Sequence, residues 1–242
     1  MTHEERHYRK SIKAEGLSKF TAVDKETDLL ILARKNLQRE AHASVLRFRS
    51  ELENYITKDP DFMKSLSPKR VGLRAPKIVK DMASAAKRAK VGPMAAVAGT
   101  IAEYVGKDLQ RHSKEVIVEN GGDIYMKITQ PRRVSIFAGS SPFSERIALE
   151  IDPDQTPLGV CTSAGTVGHS LSFGAADAVV VTSKSTALAD AAATAIGNTV
   201  KTVADIQGGL NFARRIKGIN SALIIKDDHI GAWGRMKIVA VK

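Results

Sequence analysis

Residues 114–129, KEVIVENGGDIYMKIT, decide how this chain is read. Two runs rich in Val, Ile and Tyr, 114–119 and 123–129, flank Gly121-Gly122. Such residues fit a pleated, half-buried surface. A tight two-residue hairpin loop needs positive φ at its centre, which glycine supplies without steric cost. The two runs therefore read as an antiparallel hairpin. The chain around them is expected to build an α+β fold, with a mostly antiparallel sheet and packed helices, rather than a regular βαβ repeat.

On the N-terminal side, residues 6–13 and 19–34 read as strands, the second region turning at Asp24-Lys25-Glu26-Thr27. From Asn36 the period changes: Leu37, Ala41, Val45, Leu46, Leu52, Tyr55 and Ile56 recur at helical spacing until Asp59-Pro60. A loop holding Ser67-Pro68 and Ala75-Pro76 leads to a basic helix ending near Lys90. Gly92-Pro93 then opens the helix MAAVAGTIAEYVGKDL. Ala and Gly along one face of that helix permit close approach by another backbone or by a ligand. On the C-terminal side, strands are expected at 133–138, 146–151, 158–163 and 177–182, and helices at 185–200 and 203–216. A closing hairpin is expected to pair 222–226 with 237–241 across a turn region containing Trp233. The helix after Ser185 is expected beside the 114–129 hairpin.

The 242 residues are 43% hydrophobic and 26% charged, enough for a real core in one domain, 1–242, either compact or as two lobes around a cleft. No run has the apolar length of a membrane span, because the two most apolar helical stretches are interrupted by Glu103 and Asp190. The charged opening MTHEERHYRK is unlike a secretory signal, and the single cysteine, Cys161, excludes an internal disulfide and a multi-cysteine zinc site. A cytoplasmic location with no membrane partner is expected. The net charge is +11, and between positions 64 and 90 nine basic residues face Asp81 alone. Such a segment is either a solvated helix face or a field that attracts phosphates. Nucleic acid is disfavoured as a partner, since 64–90 has no aromatic residue for base stacking.

Three constellations could carry chemistry. In Glu119-Asn120-Gly121-Gly122-Asp123, the glycines let a ligand approach without meeting a Cβ, with Asn120 and Asp123 as polar partners; a plain hairpin turn is the alternative. In the stretch from Gly159 to Ser170, a strand carrying Cys161 runs into Thr162, Ser163, Gly165 and Thr166, then His169. Its backbone N–H groups and hydroxyls suit an anion. The stretch is neither a P-loop nor a nucleophile elbow. In Ala189-Asp190-Ala191-Ala192-Ala193-Thr194, positions i and i+4 put Asp190 and Thr194 on one helical face. That oxygen pair suits Mg²⁺ completed by a ligand phosphate, unless Asp190 is only a partner of a helix dipole.

Taken in order, GPMAAVAGTIAEYVG, VIVENGGDIYMK, CTSAGTVGHS and ALADAAATAIGN resemble the ApbE-like superfamily of flavin transferases, once called thiamine-biosynthesis lipoproteins. The likeness covers roughly 92–200 and points to a compact branch found in many archaea and anaerobic bacteria. It implies a cleft that binds FAD with Mg²⁺. Gly121, Gly122 and Asp123 match the hairpin that approaches the flavin nucleotide, Thr162 and Ser163 match the start of a Thr-Ser-Gly segment, and Asp190 and Thr194 match the side-chain metal ligands. Asn120, Gly165 and Thr166 join the cofactor-binding set. If the protein is an enzyme, the resemblance implies an Mg²⁺-dependent transfer of FMN from FAD to protein, or FAD hydrolysis, with His169 as general base. The departures are specific: Ala164 interrupts the Thr-Ser-Gly segment, the acidic-Pro-x-x-Thr-Gly loop after the histidine is missing, and Ala95–Thr100 offers no lysine. Two other functions stay open. Cys161 reads first as a small buried hydrophobe in a strand, but beside a hydroxyl-rich loop it could carry sulfur as a persulfide in sulfur amino-acid metabolism, and the 64–90 segment could bind phosphates or nucleic acid.

Overall fold

Asp24 and Thr27 close the first hairpin, with Lys25 at φ 49°, joining strand β1 (Ser18–Asp24) to β2 (Thr27–Ala33). The computed structural model describes Arg9, residues 15–165 and residues 173–241; the expected strand at 6–13 lies outside them save for Arg9. Helix α1 (Gln38–Lys58) follows, burying Ala41, Ser44, Val45, Phe48 and Leu52 along one stripe, as the 3.6-residue spacing requires. Next come α2 (Asp61–Lys64), α3 (Lys77–Ala89), a 3₁₀ turn at Pro93–Ala96 and α4 (Val97–Leu109). The second half holds β3 (Val116–Asn120), β4 (Asp123–Lys127), β5 (Arg132–Ser135), β6 (Ile147–Ile151), β7 (Leu158–Ser163) and β8 (Ala178–Ser183). It continues through α5 (Thr186–Gly197), α6 (Ile206–Arg215), β9 (Ile219–Lys226), β10 (His229–Gly234) and β11 (Lys237–Ala240).

Eight strands form one sheet in the order β1-β2-β3-β4-β7-β8-β9-β10, every neighbouring pair antiparallel. Both faces are covered, so the central strands are apolar throughout instead of alternating with polar residues. In β8, Val179 and Val181 enter the helix-side core while Ala178 and Val180 enter a second core beneath. β2, β3 and β9 divide in the same way: Ile31, Val118 and Ile224 face the helices, and Leu32, Ile117 and Leu223 face away. The second core is closed by a small sheet, β11-β6-β5, which contributes Leu149 and Ile151.

Two expectations need correction. β9 pairs with β10, not with 237–241; β11 instead crosses to β6. Asp227, at φ 55°, turns the chain directly after β9, and Gly234, at φ 88°, ends β10 and releases it toward the small sheet. Trp233 accordingly sits in β10 and not in a turn. As expected, α5 packs beside the β3–β4 hairpin, touching β4 while lying mainly on β7 and β8 between α4 and α3; the hairpin itself is covered mainly by α4. That central position buries every residue of α5 except Thr194 and accounts for its run of alanines.

The small face of α4 is used by protein rather than by a ligand. A Cβ at Gly106 would lie 2.2 Å from Cδ1 of Tyr125, whose ring is fully buried. Gly106→Ala therefore gains helix propensity of about 1 kcal/mol but forces an immobile ring to shift, at about 1–3 kcal/mol. Urea unfolding is expected to show a net loss of stability; a midpoint equal to or above wild type contradicts this packing.

Candidate functional site

The first N–H groups of a helix have no intrahelical partner, and a buried helix start must find acceptors elsewhere. α4 and α5 run antiparallel, each with its start against the second turn of the other. Asp190 of α5 accepts from the Gly99 N–H at 2.8 Å and from the Ala98 N–H. Glu103 of α4 accepts from the Thr186 N–H at 2.7 Å and the Ala187 N–H at 3.3 Å, while Ser185 Oγ accepts from the Leu188 N–H at 3.3 Å. Lys107 pairs with Glu103 one turn on. The approach depends on Gly99, where a Cβ would fall 2.7 Å from the Thr186 carbonyl oxygen. Asn120 ties the hairpin to the same place, its Nδ2 donating to the Ala98 carbonyl at 3.1 Å.

Gly121 and Gly122 adopt φ 65° and 98°, the conformation the two-residue turn demands. Glu119 Oε1 accepts from the Gly122 N–H at 2.9 Å, and its Oε2 accepts from Arg9 Nε at 2.6 Å; Arg9 also bonds Asp28 Oδ1 at 2.8 Å. The register Ile124↔Val160 sets Asp123 beside Cys161 on the helix-facing side of the sheet, under Asp190.

Two carboxyls thus share a buried space. Burial, and then the charge of Asp190, push the Asp123 carboxyl well up from its ordinary range. Burial pushes Asp190 up to about 7, against the pull of the Gly99 and Ala98 N–H groups. Asp123 Oδ1 has no hydrogen-bond partner, nor do the buried Ser163 Oγ and Thr186 Oγ1.

The other expected residues are divided. Thr194 lies one turn beyond Asp190. Ser163 faces the helices with Cys161, whereas strand alternation turns Thr162 to the opposite face with Val160. Gly165 is explained by chain packing: its N–H donates to the Ala176 carbonyl at 2.8 Å, and a Cβ would sit 2.2 Å from the Gly174 carbonyl oxygen. Thr166 and His169 lie outside the described residues. Cys161 is 0% exposed and directs its thiol to the Thr186 carbonyl at 3.5 Å. Burial, then Asp123 and Asp190, push that thiol well up, the opposite of the activated thiolate that sulfur carriage needs. Among the described residues, no three His, Cys, Asp or Glu side chains gather as a metal site. A cation here would rest on the Asp pair with hydroxyl, water and ligand oxygens, a set that magnesium accepts.

Residues that motif reading passed over include Glu103, Gly99, Thr186 and Arg9. Glu103 had a visible signal: an acid inside an otherwise apolar helix must have a partner.

A family model described as AbpE bacteria matches residues 9–216. A UPF0280 protein of Methanococcus aeolicus is 44% identical over 201 residues, covering 81% of each chain, and one of Methanocella arvoryzae is 41% identical over 217 residues, covering 89% of this chain and 88% of its own. The fold is similar to the apo flavinyl transferase ApbE of Pseudomonas stutzeri, with a TM-score of 0.57 and 16% identity over 93% of this chain and 94% of that one. It is also similar to the ApbE protein of Thermotoga maritima, with a TM-score of 0.56 and 11% identity over 89% and 96%. By the span of the family match and the identity to these relatives, the chain belongs to the AbpE bacteria family within the ApbE-like superfamily.

Proposed function

We propose that the protein binds a flavin nucleotide, FAD, together with Mg²⁺ where the starts of α4 and α5 meet the Gly121-Gly122 hairpin. The observation that carries this reading is the buried carboxyl pair, with Asp123 Oδ1 left without a partner. Among the described residues no Lys or Arg offsets either carboxyl. A buried acidic pair without a counter-charge calls for a proton or a cation.

Asp190 and Asp123 would hold the ion, with Thr194 beside Asp190 as the family resemblance implies. Magnesium would supply charge neutralisation between these carboxylates and phosphate oxygens. Gly121 and Gly122 present backbone without side chains to the nucleotide, and the N-terminal ends of α4 and α5 contribute a favourable field for its anionic part. The similarity of the fold to the flavinyl transferase ApbE of Pseudomonas stutzeri supports flavin as the ligand. Binding is the better supported activity. Transfer of FMN or hydrolysis of FAD needs a base, for which His169 is the candidate. The sulfur-carrier reading is disfavoured by the burial of Cys161.

Calorimetric titration with FAD, with and without Mg²⁺, tests the reading. Affinity is expected to rise about tenfold or more with the metal. Asp123→Asn should abolish that increase while keeping the fold, because the Asp123 side chain caps no helix. Asp190→Ala should also lose it, but with about 1–3 kcal/mol of lost stability from uncapping α4. FAD affinity that is indifferent to Mg²⁺ in the wild type would sink the metal assignment.

A pH series in metal-free buffer gives an independent check. The folded chain keeps a proton on Asp190 up to about 7, while the unfolded chain releases it near the ordinary 3.8. The folded state binds more protons across that window, so stability should fall as pH rises through it and level off above. Asp190→Asn should flatten this slope, and an unchanged slope in that variant would assign it to other groups.

A further inference from the structure

Between α2 and α3 the chain runs through residues 65–76 without helix or strand, yet the loop is held at Ser65, Lys69 and Ala75. Ser65 packs its carbonyl where Gly92 lacks a Cβ, Ser65 Oγ donates to the Ser67 carbonyl at 2.8 Å, the Ala75 N–H donates to the Gly72 carbonyl at 3.0 Å, and Lys69 pairs with Asp59 at 2.5 Å. On this ordered loop Leu73 is 95% exposed and Leu66 62%, the two most exposed of the large hydrophobic residues described, with Met63 50% exposed at its root. Exposed apolar side chains scattered singly need no explanation, but three within eleven residues of one ordered segment do. The same segment is basic. No acid stands between 62 and 80, and among the described residues Lys64, Arg70, Arg74 and Lys80 have no ion-pair partner, whereas Lys69 and Lys77 are held by Asp59 and Asp81.

We propose that this loop is a contact site for the surface of an anionic lipid bilayer, Leu73 and Leu66 entering the acyl boundary while Arg70, Arg74, Lys64 and Lys80 lie among the headgroups. Aliphatic tips flanked by Lys and Arg match both layers of such an interface, the apolar and the charged. Nucleic acid fits only half of the observation: a phosphodiester backbone takes the cations but has no use for bare leucines, and residues 63–80 hold no aromatic ring for stacking. The groove beside the loop, lined by Asp61, Lys64, Ser65 and Lys69, is polar and offers no apolar pocket for a protein partner's anchor. The absence of a helix long and apolar enough to cross a membrane excludes spanning by the described helices and leaves surface contact open. The site is separate from the carboxyl pair and does not depend on the flavin reading.

The test is co-sedimentation of the full chain with phosphatidylcholine vesicles and with equimolar phosphatidylcholine–phosphatidylglycerol vesicles, at low and high salt. Binding is expected to the anionic vesicles only, and to weaken with salt. Leu73→Ser should reduce partitioning roughly tenfold through lost acyl contact, and the double variant Arg70→Gln, Arg74→Gln by roughly tenfold or more through lost headgroup attraction. Leu46→Ser, at an exposed leucine on α1, should bind as wild type does. All of these positions are exposed, so circular dichroism should confirm an unchanged fold. The proposal is overturned if the wild type stays in the supernatant with anionic vesicles at low salt, if Leu73→Ser partitions like wild type, or if Leu46→Ser weakens binding as much. Retention of a duplex oligonucleotide without retention of vesicles would give the surface to nucleic acid instead.

Discussion

Two buried helix starts facing each other have to be satisfied without water, and in this chain each is satisfied by a carboxylate from the other helix. Asp190 serves α4 and Glu103 serves α5. An acceptor removed from such a place leaves buried donors that nothing else can reach. The exchange dictates the local sequence. Gly99 must lack a side chain for the backbones to approach, and α5 must be apolar on every side because it lies between α3 and the sheet.

The same exchange accounts for the character of the site. Fixing Asp190 over the sheet places it above Asp123, at the turn that Gly121 and Gly122 make possible. Glu103 has Lys107, and Glu119 has Arg9, so two of the four buried acids around the helix starts are offset by cations. Asp123 is offset only by hydrogen bonds from the Cys161 thiol and the Thr162 N–H, and Asp190 only by the Gly99 and Ala98 N–H groups, so burial raises both carboxyls.

Much of this architecture was legible from residue pattern. The Gly-Gly turn and the apolar runs beside it gave the central hairpin, and the helical spacing from Leu37 gave α1. β10 was not legible, because its glycines, alanine and half-exposed tryptophan reflect an edge strand with little buried face. The Asp190–Thr194 spacing put both residues on one helix but could not reveal that Asp190 is engaged by α4, since that contact spans 91 positions in sequence. Cys161, in contrast, reads in the sequence as a small buried hydrophobe of a strand, and the fold seals it beneath α5. In the sequence Glu103 stands only as an interruption of an apolar helix, and Asp190 as an interruption and a candidate cation ligand; that each caps the other's helix emerges when the two helices are seen side by side.

The interlock itself is tested most directly by a double-mutant cycle on Glu103→Ala and Asp190→Ala, read by urea unfolding. Each single change is expected to cost about 1–3 kcal/mol. If the two caps hold one unit, the double variant should lose less than the sum, with a coupling of about 1 kcal/mol or more. Strictly additive losses would mean that the helices are capped independently, and would contradict the account of the site as one mutually braced structure.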